Sequence, residues 1–255
     1  MLLAIDIGNT NLTLGVFQGD LLVHGWRLST DRSRMPDEYG LQLVGLLDHA
    51  SLRAENLEGV VMASVVPPLT GRLVAGVHDY LSQDPLLITS GLDTGVLLRV
   101  DQPASVGADR VANAVAVREL FGGPACVVDF GTATTFDALD AQGNYLGGAI
   151  APGIGIAADA LVASTAQLPR VELEAPPSVI GRNTVSAMQA GIVYGYAGLV
   201  EGLVARFREE LGDGMQVIAT GGLAQFVADQ TNVVQHVAPW LTLDGLRILW
   251  GRQHR

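Results

Sequence analysis

Two short segments carry the groups best suited to chemistry: Asp6-Ile7-Gly8-Asn9-Thr10-Asn11 and Asp129-Phe130-Gly131-Thr132-Ala133-Thr134. In each, an apolar run ends on an aspartate, and a glycine and small polar residues follow. The aspartate offers a carboxylate to Mg²⁺ or its waters, while amides and hydroxyls offer donors to phosphate oxygens. Gly8 and Gly131 carry no Cβ that would hold a phosphate off the backbone. A third segment, Ala219-Thr220-Gly221-Gly222, separates a strand-like run from a helical one. Its glycines let a flat adenine or ribose lie against the chain. On residue type alone, both aspartates could equally cap turns, and the glycine pair could equally be a tight strand-to-helix turn.

The remaining inventory narrows the chemistry. All fifteen basic residues are arginine, so no lysine exists for a P-loop, a protein kinase of the usual type, Ser-x-x-Lys acylation or a Schiff base. Cys126 is the single cysteine, which excludes an intrachain disulfide and any Cys-x-x-Cys site. The five histidines are scattered, with no HExxH, and no GxSxG occurs. A net charge of −11 without a basic run argues against nucleic acid as a partner. An anionic ligand must therefore be met locally, by single arginines, backbone N–H groups or a metal ion. Two acidic, glycine-bearing turns facing each other would hold a triphosphate without lysine. Hydrophobic residues at 49% against 16% charged fit a globular chain. The first charge falls at Asp6 and no apolar stretch reaches membrane-spanning length, so neither a signal peptide nor a membrane contact is expected and the default location is cytoplasmic.

The elements that must position these groups can be read from the pattern. Strands are expected at 2–6, 11–17 and 21–28, the last two joined at Gln18-Gly19-Asp20 as a hairpin. A helix opens at Pro36. A strand at 59–66 closes on Pro67-Pro68, a helix runs on to about Leu81, and 86–89 is a further strand. Residues 108–120 read as a helix, and Gly122-Gly123-Pro124 as a linker. The pattern then restarts: Cys126–Thr134 overlays Leu3–Asn11 with the two aspartates 123 positions apart, and a hairpin turning at Gln142-Gly143-Asn144 follows. Strand, turn and hairpin recurring together indicate a duplicated α/β domain with a cleft between the copies. The expected boundaries are 1–118 and 119–255, with the C-terminal helix packing back on the first copy. Gly153-Ile154-Gly155-Ile156-Ala157-Ala158 matches a dinucleotide fingerprint, but no βαβ unit encloses it, and close helix packing is the better reading. The helical stretch 184–211 is either a buried core helix or a dimer seam at Gly191, Gly195 and Gly198.

The ordered set DIGNTN (6–11), ASVVPP (63–68), GADR (107–110), DFGTATT (129–135), GGAIAPG (147–153), GRNT (181–184), ATGGLA (219–224) and LTLDGL (241–246) resembles the acetate and sugar kinase, Hsp70 and actin superfamily. Within it the chain is similar to the type III pantothenate kinases. The resemblance implies duplicated ribonuclease H-like (actin-like ATPase) domains and transfer of the ATP γ-phosphoryl to the 4′-hydroxyl of pantothenate, the first step of coenzyme A biosynthesis. It implies that Asp6, Gly8, Asn9, Thr10, Asn11 and Thr13 form the first phosphate turn, with Asp6 serving Mg²⁺, and that Thr132 binds ATP phosphate from the second. Asp129 would ligate the monovalent cation, K⁺ or NH₄⁺, and Asp109 would be the general base. Gly107, Ala108, Asp109, Arg110 and Thr184 would hold pantothenate, and the enzyme would be a homodimer.

Residue chemistry tempers these roles. A carboxylate near its reference pKa of about 4 cannot strip an alcohol in the ground state, but it can accept the proton late in a loose phosphoryl-transfer transition state. Asp109 is equally placed to be a first-turn acid offsetting a helix dipole. Arg110 could meet the pantothenate carboxylate, the transferring phosphoryl or Asp109 itself. Two positions depart from the family: Val100 stands where a substrate-contacting tyrosine is expected, and Arg182 replaces the usual lysine of GRNT. Val100 keeps a kinase of another small alcohol open as an alternative. A non-catalytic accessory regulator is the other, against which Asp6, Asp109 and Asp129 weigh.

Overall fold

The computed structural model describes residues 1–89 and 91–254. The chain forms two compact units: Met1–Leu97, Asp101–Ala116 and Leu241–Arg255 in one, Leu98–Val100 and Val117–Trp240 in the other. Among the described residues, no helix is long and apolar enough to cross a membrane.

The first unit is built on a sheet of β1 (Leu2–Ile7), β2 (Asn11–Gln18), β3 (Leu21–Ser29), β4 (Gly59–Ser64) and β5 (Leu86–Leu87), in the order β3-β2-β1-β4-β5. β1 runs antiparallel to β2 and parallel to β4. Because side chains alternate along a strand, Leu3, Ile5 and Ile7 share one face. That face meets α1 (Pro36–His49) and α2 (Pro67–Leu81) through Tyr39, Leu43, Leu47, Leu69, Leu73 and Val77. Proline opens both helices, where its missing N–H costs nothing. The opposite face of β1 is occupied by α7 (Leu241–Gln253): Leu243 Cδ1 lies 2.7 Å from where a Cβ on Gly15 would stand, opposite Ala4. Small residues at Ala4 and Gly15 thus let α7 approach. Asp6 lies on this same face, at its end. The helix α3 (Ala108–Leu120) begins in this unit and crosses α7 closely, with Thr242 Oγ1 donating to the buried Asn113 Oδ1 at 2.9 Å.

The second unit repeats the order. Its sheet comprises β6 (Ala125–Phe130), β7 (Ala133–Leu139), β8 (Tyr145–Pro152), β9 (Gln216–Thr220) and β10 (His236–Val237), arranged β10-β9-β6-β7-β8. Cys126, Val128 and Phe130 face a core completed by Ile154, Tyr196, Val200 and Val204, so α4 (Ile154–Ala163) and the 28-residue α5 (Thr184–Leu211) supply the layer that α1 and α2 supply in the first unit. Asn183 caps α5 by accepting the Ser186 N–H at 2.9 Å. A five-residue helix, α6 (Ala224–Ala228), follows β9. Gly122-Gly123-Pro124, expected as a linker, is packed inside this unit: a Cβ on Gly123 would fall 2.0 Å from the Asp140 carbonyl oxygen. Residues 98–100 also belong here, through a bridge from Leu98 to Tyr145 and an Arg99 N–H to Tyr145 carbonyl bond of 2.8 Å. Burial pushes the Cys126 thiol up to about 12, so it is a core side chain and no nucleophile.

Candidate active site

In the first unit the turn between β1 and β2 is tied at its base by Gly8 N–H donating to the Asn11 carbonyl at 3.0 Å. Asp6 pairs with Thr13 of β2 and Ala63 of β4. Asn9, Thr10 and Asn11 are exposed at the tip. Two residues absent from the sequence reading brace the turn. Thr30 donates its hydroxyl to the Gly8 carbonyl at 2.7 Å and its N–H to the Thr10 carbonyl at 2.8 Å, and Arg32 Nη2 donates to Asn9 Oδ1 at 2.8 Å. Their signal was the arginine-bearing run Thr30-Asp31-Arg32-Ser33-Arg34 that directly follows the hairpin.

The GADR segment lies at the same end of this sheet. Val65, whose N–H extends the pairing of β4 onto β1 through the Ile7 carbonyl at 3.1 Å, sits 3.3 Å from where a Cβ on Gly107 would be. The same point is 2.4 Å from Asp109 Oδ1, so only glycine leaves room for the Asp109 carboxylate to fold back. Asp109 keeps partial contact with solvent, yet protein atoms crowd the carboxylate and burial raises its pKa; the Arg110 N–H, at 2.8 Å, and the Arg110 charge oppose the rise. Asp109 therefore does act as a first-turn acceptor in α3, but the net effect is a carboxylate more basic than usual.

In the second unit Asp129 pairs with Thr135 and Thr220 at the end of β6. The turn after it is closed by Gly131 N–H to the Ala133 carbonyl at 3.1 Å, and Gly153 N–H donates to the Thr132 carbonyl at 3.2 Å. Gly153 is buried so close to this turn that a Cβ would lie 2.3 Å from the Thr132 carbonyl oxygen and 2.7 Å from that of Gly131. This explains half of the fingerprint-like GxGxxA: its first glycine seats β8 and α4 on the turn, while a Cβ on Gly155 would meet open space. The preceding strand β8 is an antiparallel edge, which no dinucleotide βαβ unit would use.

Gly221 has φ +93°, and a Cβ there would lie 2.6 Å from Asp129 Oδ1 and 2.7 Å from the Phe130 carbonyl oxygen. The second and third segments of the sequence thus meet, the Asp129 carboxylate and the Phe130 carbonyl both lying beside Gly221. Gly222 is exposed, with open space around it. Among the described residues no three acidic, histidine or cysteine side chains cluster as metal ligands. A divalent ion would accordingly rest on one carboxylate such as Asp6 together with substrate phosphates, a common arrangement for Mg²⁺.

A family model for type III pantothenate kinase matches residues 2–206. The chain belongs to the type III pantothenate kinase family. A type III pantothenate kinase from Moorella thermoacetica is 55% identical over 252 residues, 99% of each chain, and one from Roseiflexus castenholzii is 51% identical over 250 residues, 98% of each. An inorganic polyphosphate/ATP-glucomannokinase from an Arthrobacter species shares 16% identity, yet superposes with a TM-score of 0.53 over 99% of both chains. At that identity the likeness speaks for the fold, which is the duplicated ribonuclease H-like architecture of the actin-like ATPases and sugar kinases.

Against the type III pantothenate kinase pattern, the first-turn residues and GADR are gathered at one sheet end of the first unit, and Asp129, Thr132, Gly221 and Gly222 belong to a second group in the other. Thr184 opens α5 and, with Arg182, borders a groove of about 840 Å³ lined by apolar residues of α4 and α5, including Leu161, Met188, Ile192 and Leu199. Val100 packs against β8, its Cγ1 being 3.6 Å from where a Cβ on Gly147 would stand.

Proposed function

We propose that this protein transfers the γ-phosphoryl of ATP to the 4′-hydroxyl of pantothenate, opening coenzyme A synthesis. The observation that carries the reading is the match to a type III pantothenate kinase, 55% identical along 99% of the chain. In this reading Asp6 takes the Mg²⁺ of Mg-ATP, and Gly8, Asn9, Thr10, Asn11, Thr13 and Thr132 bind phosphate. Gly221 and Gly222 lie against the nucleoside. Asp129 takes K⁺ or NH₄⁺. Gly107, Ala108, Arg110 and Thr184 hold pantothenate. Mg²⁺, when bound, neutralises charge developing on the phosphoryl oxygens. A step toward coenzyme A that consumes ATP belongs in the cytoplasm. We also read the chain as a homodimer, supported by exposed Gly191, Gly195 and Gly198 along α5 beside the apolar groove.

Asp109 is the proton acceptor. Its burial raises basicity, which favours uptake of the hydroxyl proton as the bond to phosphorus forms. Positioning supplies most of the remaining acceleration. The test is ADP release from Mg-ATP with pantothenate, in K⁺ and in Na⁺. Turnover that requires pantothenate and is faster in K⁺, and that falls by about 100-fold or more in Asp109→Asn while ATP still binds, supports the assignment. ATP binding without pantothenate turnover sinks it and turns attention, through Val100, to other small alcohols.

A further inference from the structure

Three arginines converge behind the first turn, and their partners differ. Arg34 Nε meets the Asp31 carboxylate at 3.5 Å. Arg72 reaches over from α2 and its Nη1 donates to the carbonyls of Arg32 and Arg34, at 2.7 and 2.9 Å, so it pins the backbone of the loop. Arg32 is exposed, and among the described residues its guanidinium bonds to the neutral Asn9 side chain and to no carboxylate. A cation is thus fixed at the tip of the phosphate turn with its charge uncancelled, in a chain of net charge −11 that has no lysine.

The bond has a second consequence. A guanidinium can only donate, so it selects the oxygen of the Asn9 amide and leaves the NH₂ turned the other way. Without a cationic donor beside it, the amide could present either end. We propose that Arg32 is a phosphate-positioning residue of the ATP site: it orients Asn9 so that its NH₂ faces the polyphosphate, and it lends that site the positive charge which lysine supplies elsewhere. The proposal rests on the reading of the first turn as an ATP-phosphate turn.

Binding of Mg-ATP, Mg-ADP and adenosine to wild type, Arg32→Ala and Arg32→Lys tests it, together with KM for each substrate. Arg32→Ala should weaken Mg-ATP by about tenfold or more, as loss of a charge-assisted contact does. It should leave adenosine affinity and the KM for pantothenate within about twofold. Arg32→Lys should recover most of the loss, since a single bond is to be remade. In an Asn9→Ala background Arg32→Ala should cost less than it does alone, because the two act through one amide. Equal weakening of adenosine and ATP would reveal a merely structural role and overturn the proposal, as would unchanged ATP affinity in a folded Arg32→Ala protein. Nucleotide binding without pantothenate turnover by wild type would defeat the functional reading while leaving the Arg32 comparison intact.

Discussion

The two acidic turns are the same device built with different supports. Both sheets have one strand order, and both aspartates sit on the face of their strand turned away from the paired or long helices, at offset 123. Between the last paired residues, four residues form the first turn (after Ile7, before Leu12) and three the second (after Phe130, before Thr134). The first is held from outside by the exposed loop after β3, through the Thr30 hydroxyl and N–H and the Arg32 side chain. The second is wedged by backbone: Gly153 below its carbonyls, and Gly221 against Asp129. A turn tied by hydrogen bonds to an exposed loop has room to tilt when a ligand arrives, whereas one packed closely on backbone has less. In the proposed reading the first turn takes the polyphosphate with Mg²⁺ and the second the monovalent cation.

The largest effect should come from exchanging the acids for amides. Asp6→Asn should lower kcat by about 100-fold or more in any salt, as expected when the metal partner of the transferring phosphoryl is lost. Asp129→Asn should instead erase the advantage of K⁺ over Na⁺ and leave a slow, salt-indifferent enzyme. Steady-state rates in the two salts check both. If both variants lose K⁺ dependence and rate alike, the division of labour between the turns is wrong.

Next in size is a stability contrast. Gly153→Ala places a methyl 2.3 Å from one backbone oxygen and 2.7 Å from another, in a buried site where neither can retreat, and should cost about 3 kcal/mol. Gly8→Ala brings a methyl to 2.9 Å from the Asn11 carbonyl, in a half-exposed turn that can open slightly, and should cost about 1 kcal/mol. Urea unfolding of both variants measures the difference. Equal costs would mean that the two turns are equally rigid.

Much of this was legible in the sequence because apolar alternation and proline or glycine punctuation are local signals. The two hairpins, α2 from Pro67 and α3 over 108–120 follow from them directly. The edges were harder. The strand expected over 59–66 ends at Ser64, since Val65 and Val66 turn toward the helix-opening prolines, and the one expected over 86–89 pairs only at Leu86–Leu87. β10 has two residues and no pattern of its own. Within the site, aspartates and glycines announced themselves by spacing, whereas the polar run that holds Thr30 and Arg32 gives no hint of its partner, since they reach the first turn across a hairpin of about twenty residues.

The smallest effect probes a second pair of acids that the duplication makes comparable. α3 follows β5 and α7 follows β10, and each helix carries a half-buried aspartate in its first turn, Asp109 and Asp244. Burial raises both pKa values, opposed by Arg110 in one and Arg247 in the other. A helix N-terminus favours the charged form, whereas burial disfavours it, and burial is the largest influence on both carboxylates. A carboxylate whose folded pKa is raised contributes stability below its unfolded pKa, and loses that contribution as pH rises through the folded value. Asp109→Asn and Asp244→Asn should therefore each unfold slightly later than wild type at neutral pH, with the gap closing in acid. Only Asp109→Asn should cut turnover by about 100-fold or more, and the wild-type rate should fall with acid at a higher pH than an unburied aspartate would give, as Asp109 takes up its proton. Thermal melts at pH 4 and pH 7 beside a pH–rate profile separate the two residues. An Asp109→Asn protein that melts earlier at pH 7 would show that the arginine and amide contacts win over burial, and the basicity assigned to Asp109 would fall with it.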